Sequence, residues 1–369
     1  MAYDIVVSGQ LCADLLPDTS NLPLSALSAA GKLFEVDALV ISTGGSVSNT
    51  GLALHKLGIH VGMMTTVGDD LLGRVIIAKL NDRDPTLGEM IAVRANEASS
   101  YSIILSPENA DRIILHCIGN NQNFSQSDIN FDIVKQAKIF HLGYPPLLPQ
   151  LYANNGQELV AIYQRIYDEG ILTSLDLAHP DPNGLSGKVN WKQILEATLP
   201  YVDIFVPSIE EIVFMTRRLD YDNWNGNILQ NVTRNYLRNL ADELLSIGST
   251  IVGFKLGELG FYLRTSDDIQ KLTRLKSIGQ SPDNWHNLDL WHPAYGVEVV
   301  GSIGAGDSAY AGFLAAILNG LDPQATMDVM CAVGACNVET LDATSGILDW
   351  DTTLERIRAG WTVSTLRLD

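Results

Sequence analysis

The sequence predicts a doubly wound α/β fold, and three observations favour it. Short apolar runs typical of buried strands alternate with helical segments of about ten to fifteen residues, which is the rhythm of parallel βαβ units. The chain has 369 residues and 46% of them are hydrophobic, so it can bury a large core. This length permits one large α/β domain or two smaller ones.

The alternation can be followed from the amino terminus. DIVVSG, near residue 4, is typical of a buried strand, NTGLALHKLG of a helix and VGMMTTVG of the next strand. These are followed by the helix DDLLGRVIIAKLND, the strand AKIFHLG, the helix LYANNGQELVAIYQRIYDEG and the strand ILTSLDLA. The same order continues through YVDIFVPS, EEIVFMTRRL, NYLRNLADELLSIG and STIVGFKLGELGFYLR, and then through the strand VEVV and the helix SAYAGFLAAILNG.

Two segments interrupt this rhythm, because strand follows strand in them without a helix between. They are GKLFEVDALVISTGG and ASSYSIILSPENADRIILHCIG. We expect a small antiparallel sheet formed by approximately 11–18, 32–42 and 98–118. Such a sheet can lie over a site as a lid that excludes water. An edge hairpin without a catalytic part fits the same periodicity.

A polar stretch without a strong period lies between Thr265 and Ala294. We expect a surface insertion at approximately 265–294, with a short helix at most. His286, His292, Asp283 and Asp289 fall within it and could suggest a metal cluster. In a polar loop such side chains are more often solvated, so we interpret them as loop residues.

The charge of the chain restricts its partners. With 24 basic and 43 acidic residues, the formal net charge is −19, which disfavours binding to nucleic acid or to an anionic membrane surface. The acidic residues are scattered and not gathered in blocks, so solubility is the simplest explanation for them. An anionic small-molecule substrate would need a local positive site.

The sequence also favours a cytoplasmic protein. MAYDIVVSGQL has no basic region or cleavage site and is typical of a strand and not of a signal peptide. No uninterrupted apolar run reaches about 18 residues, so no membrane span is expected. The cysteines show neither CxxC nor zinc-finger spacing, which favours free thiols in a reducing compartment; they are Cys12, Cys117, Cys331 and Cys336.

A glycine-rich loop, GSIGAGDSAYAGF, runs from Gly301 to Phe313 and leads into a helix. The unpaired N–H groups of Gly304, Ala305 and Gly306 at a helix N-terminus would form an anion hole. A phosphate-binding loop of the Walker type carries Gly-Lys-Ser/Thr after its glycines, whereas this loop carries Gly-Asp-Ser. Asp307 is therefore either a helix cap or a general base, and the spacing alone favours the cap.

A second glycine site lies at TGGSVSNTGLALHKLG, residues 43–58. Gly44 and Gly45 form a tight turn, and Asn49 opens the helix that follows. A side-chain amide and exposed backbone N–H groups suit the hydroxyls of a polyol. We expect Asp14 at the end of the first strand, where its carboxylate could accept hydrogen bonds from two adjacent hydroxyls. Each feature alone would be a turn or a cap.

Taken together, these motifs resemble those of the ribokinase-like, PfkB-type carbohydrate kinases, in order and over nearly the whole length. The similar stretches are GQLCAD, GGSVSNTGLALHKLG, VGDDLLG, ENADRIILHCIGNN, VPSIEEI, KLGELGFY and GSIGAGDSAYAGF. The resemblance implies a single domain over 1–369, with a three-layer sandwich around a mostly parallel sheet and a small antiparallel β lid.

The resemblance further implies ATP-dependent phosphoryl transfer to a hydroxyl of a sugar or sugar-like molecule, with Mg²⁺. Asp307 corresponds to the base that activates the acceptor hydroxyl, and the anion hole to the site of the transferred phosphoryl group. The other candidates correspond by position: the acceptor-binding set Asp14, Gly44, Gly45 and Asn49, the nucleotide-side set Lys255, Gly257 and Gly260, and Glu211 at the magnesium-organising position.

Two departures from the family pattern concern the nucleotide and the metal. Gly301 and Ser302 stand where the family has Asp-Thr, and Ser208 stands where its magnesium motif begins with Asn. They could weaken ATP and Mg²⁺ binding, so a non-catalytic sugar sensor on the kinase fold is one alternative. A nucleoside kinase is the other, because the two kinds of kinase share these motifs. Asp307 and Glu211 are present, which favours an active sugar kinase.

The resemblance also predicts a homodimer. Ile103 and Ile104 are adjacent, as are Ile113 and Ile114, so both faces of the lid carry apolar side chains. Many relatives cover such a lid with the lid of a second subunit, and we expect lid to pack on lid here. In the competing arrangement, the 265–294 insertion covers the outer face of the lid and the protein is a monomer.

Overall fold

The computed structural model describes residues 3–28, 30–108 and 112–369. The strands in these ranges, in chain order, are β1 (Ile5–Gly9), β2 (Cys12–Leu16), β3 (Val40–Gly44), β4 (Val61–Gly68), β5 (Ile91–Arg94), β6 (Tyr101–Leu105), β7 (Ile113–Cys117), β8 (Ile139–Gly143), β9 (Leu172–Asp176), β10 (Ile204–Phe205), β11 (Ile251–Lys255), β12 (Phe261–Thr265) and β13 (Asp289–His292).

The α-helices of the same ranges connect these strands. They are α1 (Ser46–Lys56), α2 (Leu71–Asn81), α3 (Phe131–Val134), α4 (Pro149–Tyr152), α5 (Gln157–Asp168), α6 (Trp191–Thr198), α7 (Ile209–Thr216), α8 (Arg218–Trp224), α9 (Ile228–Asn231), α10 (Arg234–Ile247), α11 (Ile269–Leu272), α12 (Ala305–Leu318), α13 (Pro323–Asn337) and α14 (Trp350–Arg358).

Nine of the described strands form one sheet, in the order β13-β12-β11-β10-β9-β8-β1-β4-β5. Neighbouring strands from β11 to β5 in this order pair in parallel, and only the pairings of β12 with β11 and β13 are antiparallel. The prediction of a mostly parallel central sheet is therefore confirmed. Parallel strands end at the same edge of a sheet, and Gly9, Gly143 and Asp176 lie in register there.

Helices cover both faces of this sheet. On β1, Ile5 and Val7 pack into a core shared with α1, α2, α12 and α13, whereas Val6 packs into a core shared with α5, α6, α7 and α10. Side chains on a strand alternate between the two faces of a sheet, so the two cores lie on opposite sides. The architecture is the predicted three-layer sandwich.

The small sheet has the order β3-β2-β6-β7. β2 pairs with β3 and β6 with β7 in antiparallel fashion, and β2 pairs with β6 in parallel. Within the expected segment 32–42, regular strand structure begins only at Val40, which pairs with Leu16. Pro17 follows Leu16 and has no N–H to donate, so the pairing of β2 with β3 stops at this point.

The segment 265–294 differs from the expected surface insertion. It contributes the edge strand β13 and buries Leu272, Leu275 and Trp285 completely. The indole nitrogen of Trp285 donates to Gln280, whose amide in turn donates to a carbonyl of α12 at 2.8 Å. The segment thus packs against the sheet edge opposite β5. These three buried side chains lie on 3₁₀ turns and a single helical turn, so this part of the sequence shows no helical or strand period.

The polar residues of this segment have partners of their own. Asp289 accepts from Arg234 and Arg238, and His292 Nε2 lies 3.1 Å from the carboxylate of Asp328.

The prediction of a strand at VEVV is wrong, because residues 297–300 have no strand structure and Val299 is 67% exposed. Valine has a high strand propensity, but a strand also needs a partner and a surface to pack on.

Within the described part of the chain, no helix combines the length and the apolar character needed to cross a membrane.

Candidate active site

A cleft of about 370 Å³ opens where the parallel strands end. The side chains and backbone that line it come from distant parts of the chain, and they include Tyr144, Ser208, Lys255, Gly306 and Asp307. In open α/β sheets, ligands bind at the carboxyl ends of the strands, where the chain connections leave a crevice. The position of this cleft therefore makes it the candidate active site.

The glycine-rich loop forms one wall of the cleft. Gly304 is the N-cap residue of α12 with φ of 69°, a left-handed conformation that favours glycine. Gly304, Ala305 and Gly306 all line the cleft at this helix end, and the Ala305 N–H donates to the carbonyl of Ser302 at 3.4 Å. Asp307 lies one position further into the helix, and its carboxylate points away from the cap position, towards Asn49 and Tyr144. This geometry does not support the cap alternative.

Asp307 is almost completely buried, with 2% exposure. Its Oδ2 atom accepts from Asn49 Nδ2 at 3.0 Å and from the hydroxyl of Tyr144 at 2.7 Å. Burial raises the pKa of Asp307, and the hydrogen bond from Tyr144 and the charge of Lys255 oppose that rise. A buried carboxylate of raised pKa at the wall of a cleft is suited to accept a proton from a hydroxyl.

A buried ion pair lies next to the glycine-rich loop. Lys255, at the end of β11, donates to both carboxylate oxygens of Asp176 at 2.7 and 2.8 Å. A Cβ atom placed on Gly306 would lie 3.4 Å from the Lys255 ammonium, so the charge is close to the loop backbone. Burial raises the pKa of Asp176, and the Lys255 ammonium opposes that rise. Lys255 was predicted as a site residue, but Asp176 was not. The position of Asp176 at the end of a buried strand could have indicated that its side chain lies at this edge of the sheet.

The predicted acceptor-binding residues lie together on the other side of Asp307. Gly45 is the N-cap of α1, and Asn49 on that helix contacts Asp307 directly. A Cβ atom on Gly44 would lie only 2.1 Å from Asp14 Oδ2, so a side chain at position 44 would collide with the Asp14 carboxylate. Burial raises the pKa of Asp14 to about 6, and the nearby charge of Asp307 contributes to the rise.

The lid presents a polar row to this region. Asp14 lies on β2 and not at the end of the first strand, which stops at Gly9. It is paired with Ser42 and Ser102, and Ser102 is paired with His116. Residues that face each other across paired strands share one face of a sheet, so the four side chains line the same side. The hydroxyl of Ser102 lies 3.1 Å from His116 Nδ1. Ser42, Ser102 and His116 were not predicted, because their contribution depends on the strand register.

The predicted nucleotide-side residues Lys255, Gly257 and Gly260 do not all line the cleft. Gly257 lines the cleft beside Lys255. Gly260 closes the turn between β11 and β12 at φ of 87°, and a Cβ atom there would lie 2.0 Å from the carbonyl oxygen of His292. Gly260 therefore allows two backbone segments to pack closely. Arg112, directly before β7, lines the same cleft and was not predicted.

Ser208 and Glu211 form a reciprocal cap at the start of α7. The hydroxyl of Ser208 accepts from the Glu211 N–H at 3.2 Å, and Glu211 Oε2 accepts from the Ser208 N–H at 2.8 Å. Serine caps a helix about as well as asparagine, so this departure from the family pattern preserves the position of Glu211. Glu210 and Glu211 both line the cleft.

The other departure also has a local explanation. Gly301 donates its N–H to the carbonyl of Val338, and a Cβ atom there would lie 2.7 Å from the carbonyl oxygen of Thr340. A side chain at 301 would therefore displace the neighbouring backbone. Ser302 remains at the cleft wall.

Comparisons with known proteins agree with this architecture. The model of the pfkB family of carbohydrate kinases matches residues 2–350. A 5-dehydro-2-deoxygluconokinase of Bacillus cereus (strain ZK / E33L) is 23% identical over 331 residues, which cover 87% of this chain and 85% of that protein.

Two solved structures are similar in fold. The ribokinase of Arabidopsis thaliana, complexed with ribose and ATP, superposes with a TM-score of 0.71 at 19% identity, and the match covers 96% of this chain and 98% of that one. A putative ribokinase II of E. coli, in complex with ATP and Mg²⁺, gives a TM-score of 0.70 at 18% identity, over 97% and 99% of the two chains. Since the family model spans nearly the whole sequence, the chain belongs to the pfkB family of carbohydrate kinases.

Proposed function

We propose that this protein transfers the γ-phosphoryl group of ATP to a hydroxyl of a sugar or sugar-like molecule, with Asp307 as the general base. The observation that carries the proposal is the position of the Asp307 carboxylate, which is buried next to the anion hole and held by Asn49 and Tyr144. Such a group accepts the proton of an attacking hydroxyl while nearby N–H groups stabilise the phosphoryl oxygens.

The reaction then needs little covalent chemistry from the protein. Phosphoryl transfer depends mainly on alignment of the two substrates and on stabilisation of charge. The acceptor hydroxyl lies at Asp307, and the phosphoryl group lies at the N-terminus of α12. Lys255 adds a positive charge near the loop, and Arg112 adds another at the lid side of the cleft.

Mg²⁺ fits the acidic residues of the same cleft. This ion is usually held by one or two carboxylates together with substrate phosphates. Glu211 and Glu210 supply carboxylates at the cleft wall, and the reciprocal cap fixes Glu211. When bound there with ATP, Mg²⁺ would neutralise phosphate charge.

The acceptor is proposed to be a polyol. The polar row of the lid and the turn at Gly44 suit several neighbouring hydroxyls. Asn49 Oδ1 and His116 Nε2 are buried and have no hydrogen-bond partner among the residues that the structure describes, so a polar ligand would satisfy them. The similarity to a 5-dehydro-2-deoxygluconokinase adds sugar acids to the acceptors worth testing.

A coupled ADP-release assay with sugars, sugar acids, sugar phosphates and nucleosides tests the proposal. We expect acceptor-dependent ADP release with at least one sugar or sugar acid. Turnover confined to nucleosides would identify a nucleoside kinase. Binding of a sugar, measured by calorimetry, without any ADP release would identify the non-catalytic sensor.

The acceptor site predicts the effect of Asp14→Ala. A hydrogen bond to a charged group contributes roughly 1.5–3 kcal/mol, so the loss of this carboxylate should weaken acceptor binding at least about tenfold. The affinity for ATP should stay nearly unchanged. Asp18→Ala is the matched control, because Asp18 is an exposed carboxylate only a few residues further along. If Asp14→Ala weakened ATP binding as much as acceptor binding, Asp14 would not belong to the acceptor end of the cleft.

The raised pKa of Asp14 also predicts a pH dependence. Below a pH of about 6 the carboxyl group is protonated, and it then accepts hydrogen bonds from hydroxyls less well. Acceptor affinity should therefore fall as the pH decreases through about 6. Calorimetric titrations from about pH 5 to about pH 8, a range that includes the Asp14 pKa, measure this change. In Asp14→Asn the dependence should be largely lost, and a persistent fall would assign it to another group.

We further propose a homodimer formed through the lid. Leu15, Ile41, Ile103 and Leu115 are paired across the four strands and lie on the face opposite the Asp14 row. Leu115 is 53% exposed, so this outer face presents apolar surface to solvent in one chain. The 265–294 segment packs at the β13 edge of the large sheet, which disfavours the arrangement in which it covers the lid.

Light scattering at micromolar concentration tests the dimer. We expect twice the mass of one chain for the wild type and a monomeric mass for Leu115→Asp, since a charge would be buried in the interface. Leu219→Asp is the control, because Leu219 is 80% exposed on α8 and should not affect assembly. A monomeric wild type would contradict the proposal.

We also propose a cytoplasmic location. All four cysteines are free thiols in the structure, and Cys12, Cys331 and Cys336 are buried. Proteins with unpaired thiols are typical of reducing compartments.

A further inference from the structure

Tyr144 has an unusual backbone conformation next to the catalytic carboxylate. It directly follows β8 and has φ of 64° and ψ of 45°, the left-handed region that costs free energy for any residue with a Cβ atom. Its N–H donates to the carbonyl of Asp176 at 3.3 Å, and its carbonyl accepts from Leu147 at 2.9 Å. The conformation aims the phenol hydroxyl at Asp307. Strained residues of this kind concentrate at functional sites.

The two oxygens of Asp307 have different surroundings. Oδ2 accepts two hydrogen bonds, from Asn49 Nδ2 at 3.0 Å and from Tyr144 at 2.7 Å. Among the residues that the structure describes, Oδ1 accepts only from the hydroxyl of Thr50, at 3.5 Å, which is at the limit of a hydrogen bond. An incoming hydroxyl therefore finds Oδ1 the more available acceptor.

We propose that Tyr144 is a positioning residue for Asp307, and that Tyr144 and Asn49 together hold Oδ2 as an acceptor so that Oδ1 takes the proton. This inference rests on the proposed kinase function. In the reaction, the O–H bond of the acceptor breaks and its proton bonds to Oδ1. The oxygen's electron pair forms the new bond to the γ-phosphorus, and the bond from that phosphorus to ADP breaks.

The hydrogen-bond donors suit both states of the base. An amide nitrogen can only donate, so Asn49 Nδ2 cannot accept from a protonated Oδ2. Burial, together with the charges of Asp307 and Asp176, raises the pKa of Tyr144 well above its ordinary value, so the phenol keeps its proton. When Oδ1 is protonated, Oδ2 becomes a carbonyl oxygen that still accepts from both groups. No side chain has to rearrange during the transfer.

Several charged groups surround Asp307 and define its titration. Lys255 approaches from β11, Glu211 from the start of α7, and Asp176 from the end of β9. Asp14 approaches from the lid, and Arg112 lines the same cleft. None of these groups is altered when the Tyr144 hydroxyl is removed, so a change in the titration of Asp307 reports on that hydroxyl.

Tyr144→Phe tests the hydroxyl alone, because phenylalanine keeps the ring and would adopt the same left-handed backbone conformation at the same cost. We expect kcat to fall about tenfold or more, by loss of a hydrogen bond to an ionised group. The hydrogen bond stabilises the carboxylate form, so its loss should raise the pKa of Asp307 and move the acid limb of the kcat profile to higher pH. The KM for ATP should change little.

Tyr163→Phe is the matched control. Tyr163 is a completely buried tyrosine whose hydroxyl donates to the backbone carbonyl of Ser174 at 2.8 Å. Its loss removes one buried hydrogen bond without touching Asp307, so the acid limb should stay in place. A shift of equal size in both variants, or no shift in Tyr144→Phe, would overturn the proposal.

A measurement without turnover separates this proposal from the proposed function. Carbon-13 NMR of protein labelled at the aspartate carboxyl carbons follows the Asp307 titration directly, and Asp307→Asn assigns its signal. We expect the Asp307 midpoint at higher pH in Tyr144→Phe than in the wild type. An unchanged midpoint refutes the positioning role even in an active kinase. A shifted midpoint with no turnover on any acceptor supports the contact and refutes the kinase function.

Discussion

Asp307→Asn is expected to slow phosphoryl transfer by about 10²–10⁴-fold, the usual contribution of a general base, and to leave the fold intact. The amide has nearly the same shape as the carboxylate and can still accept from Tyr144. It cannot take a proton from the acceptor hydroxyl. Steady-state kinetics give the loss of rate, and calorimetric titration should show that ATP and the acceptor still bind.

Stability should change in the opposite sense to activity. The pKa of Asp307 in the folded protein is raised above the ordinary 3.8, so its favourable contribution is complete below that value and is lost as the pH rises through the folded pKa. The amide does not ionise, so the variant should be at least as stable as the wild type at neutral pH. Thermal unfolding at about pH 7–8, roughly three to four units above the ordinary Asp value, tests this.

Asp322→Ala provides the contrast. The Asp322 side chain accepts from the Ala325 N–H at 2.9 Å and caps α13, so its removal should cost about 1 kcal/mol of stability and leave turnover unchanged. If stability and rate instead fell together in Asp307→Asn, the catalytic interpretation would fail. Wild-type turnover would remove Asp307 from the mechanism.

Lys255→Met should have the largest effect on stability. It leaves the completely buried carboxylate of Asp176 without its cation, and breaking a buried ion pair in this way typically costs about 3–5 kcal/mol. Methionine is similar in length and flexibility, so the change in packing is small. Urea unfolding at neutral pH measures the loss, and the rate of transfer should fall as well because a charge near the anion hole is removed.

The double variant Lys255→Met/Asp176→Asn tests whether the unpaired Asp176 carboxylate causes the loss of stability in Lys255→Met. It removes both charges, so it should regain most of the lost stability but not the lost activity. In the single variant, burial raises the folded pKa of Asp176 above 3.8, so its stability should be highest at low pH and should fall as the pH rises through the folded pKa. A double variant as unstable as the single one, or a loss independent of pH, would refute the ion-pair explanation.

Much of the fold could be predicted because each element has its own local signal. Buried strands and amphipathic helices have different periods, and their alternation indicates parallel pairing. The sequence was misleading where structure depends on contacts beyond the segment. Trp285 lies in a polar stretch but is completely buried and packs against Phe313 of α12, and VEVV has strand propensity but forms no strand.

The residues of the candidate site also divide into those with a local sequence signal and those that depend on distant contacts. Asn49 and Asp307 are 258 positions apart, yet each stands beside a glycine motif, so both could be proposed from the sequence. Tyr144 has no such motif. Its contact with Asp307 spans 163 positions and depends on a left-handed backbone at the end of β8, which no local pattern of side chains predicts. Asp176 and the polar row of the lid likewise depend on strand register.

The most direct test follows the phosphoryl group itself. The wild type and Asp307→Asn are incubated with ATP labelled at the γ-phosphate, Mg²⁺ and each acceptor of the panel, and the labelled product is identified by mass spectrometry. We predict that the wild type transfers the label to a hydroxyl of at least one sugar or sugar acid, and that Asp307→Asn binds the same acceptor without transferring it. A wild type that binds a sugar but never labels it, or a variant that labels it at the wild-type rate, would contradict the account.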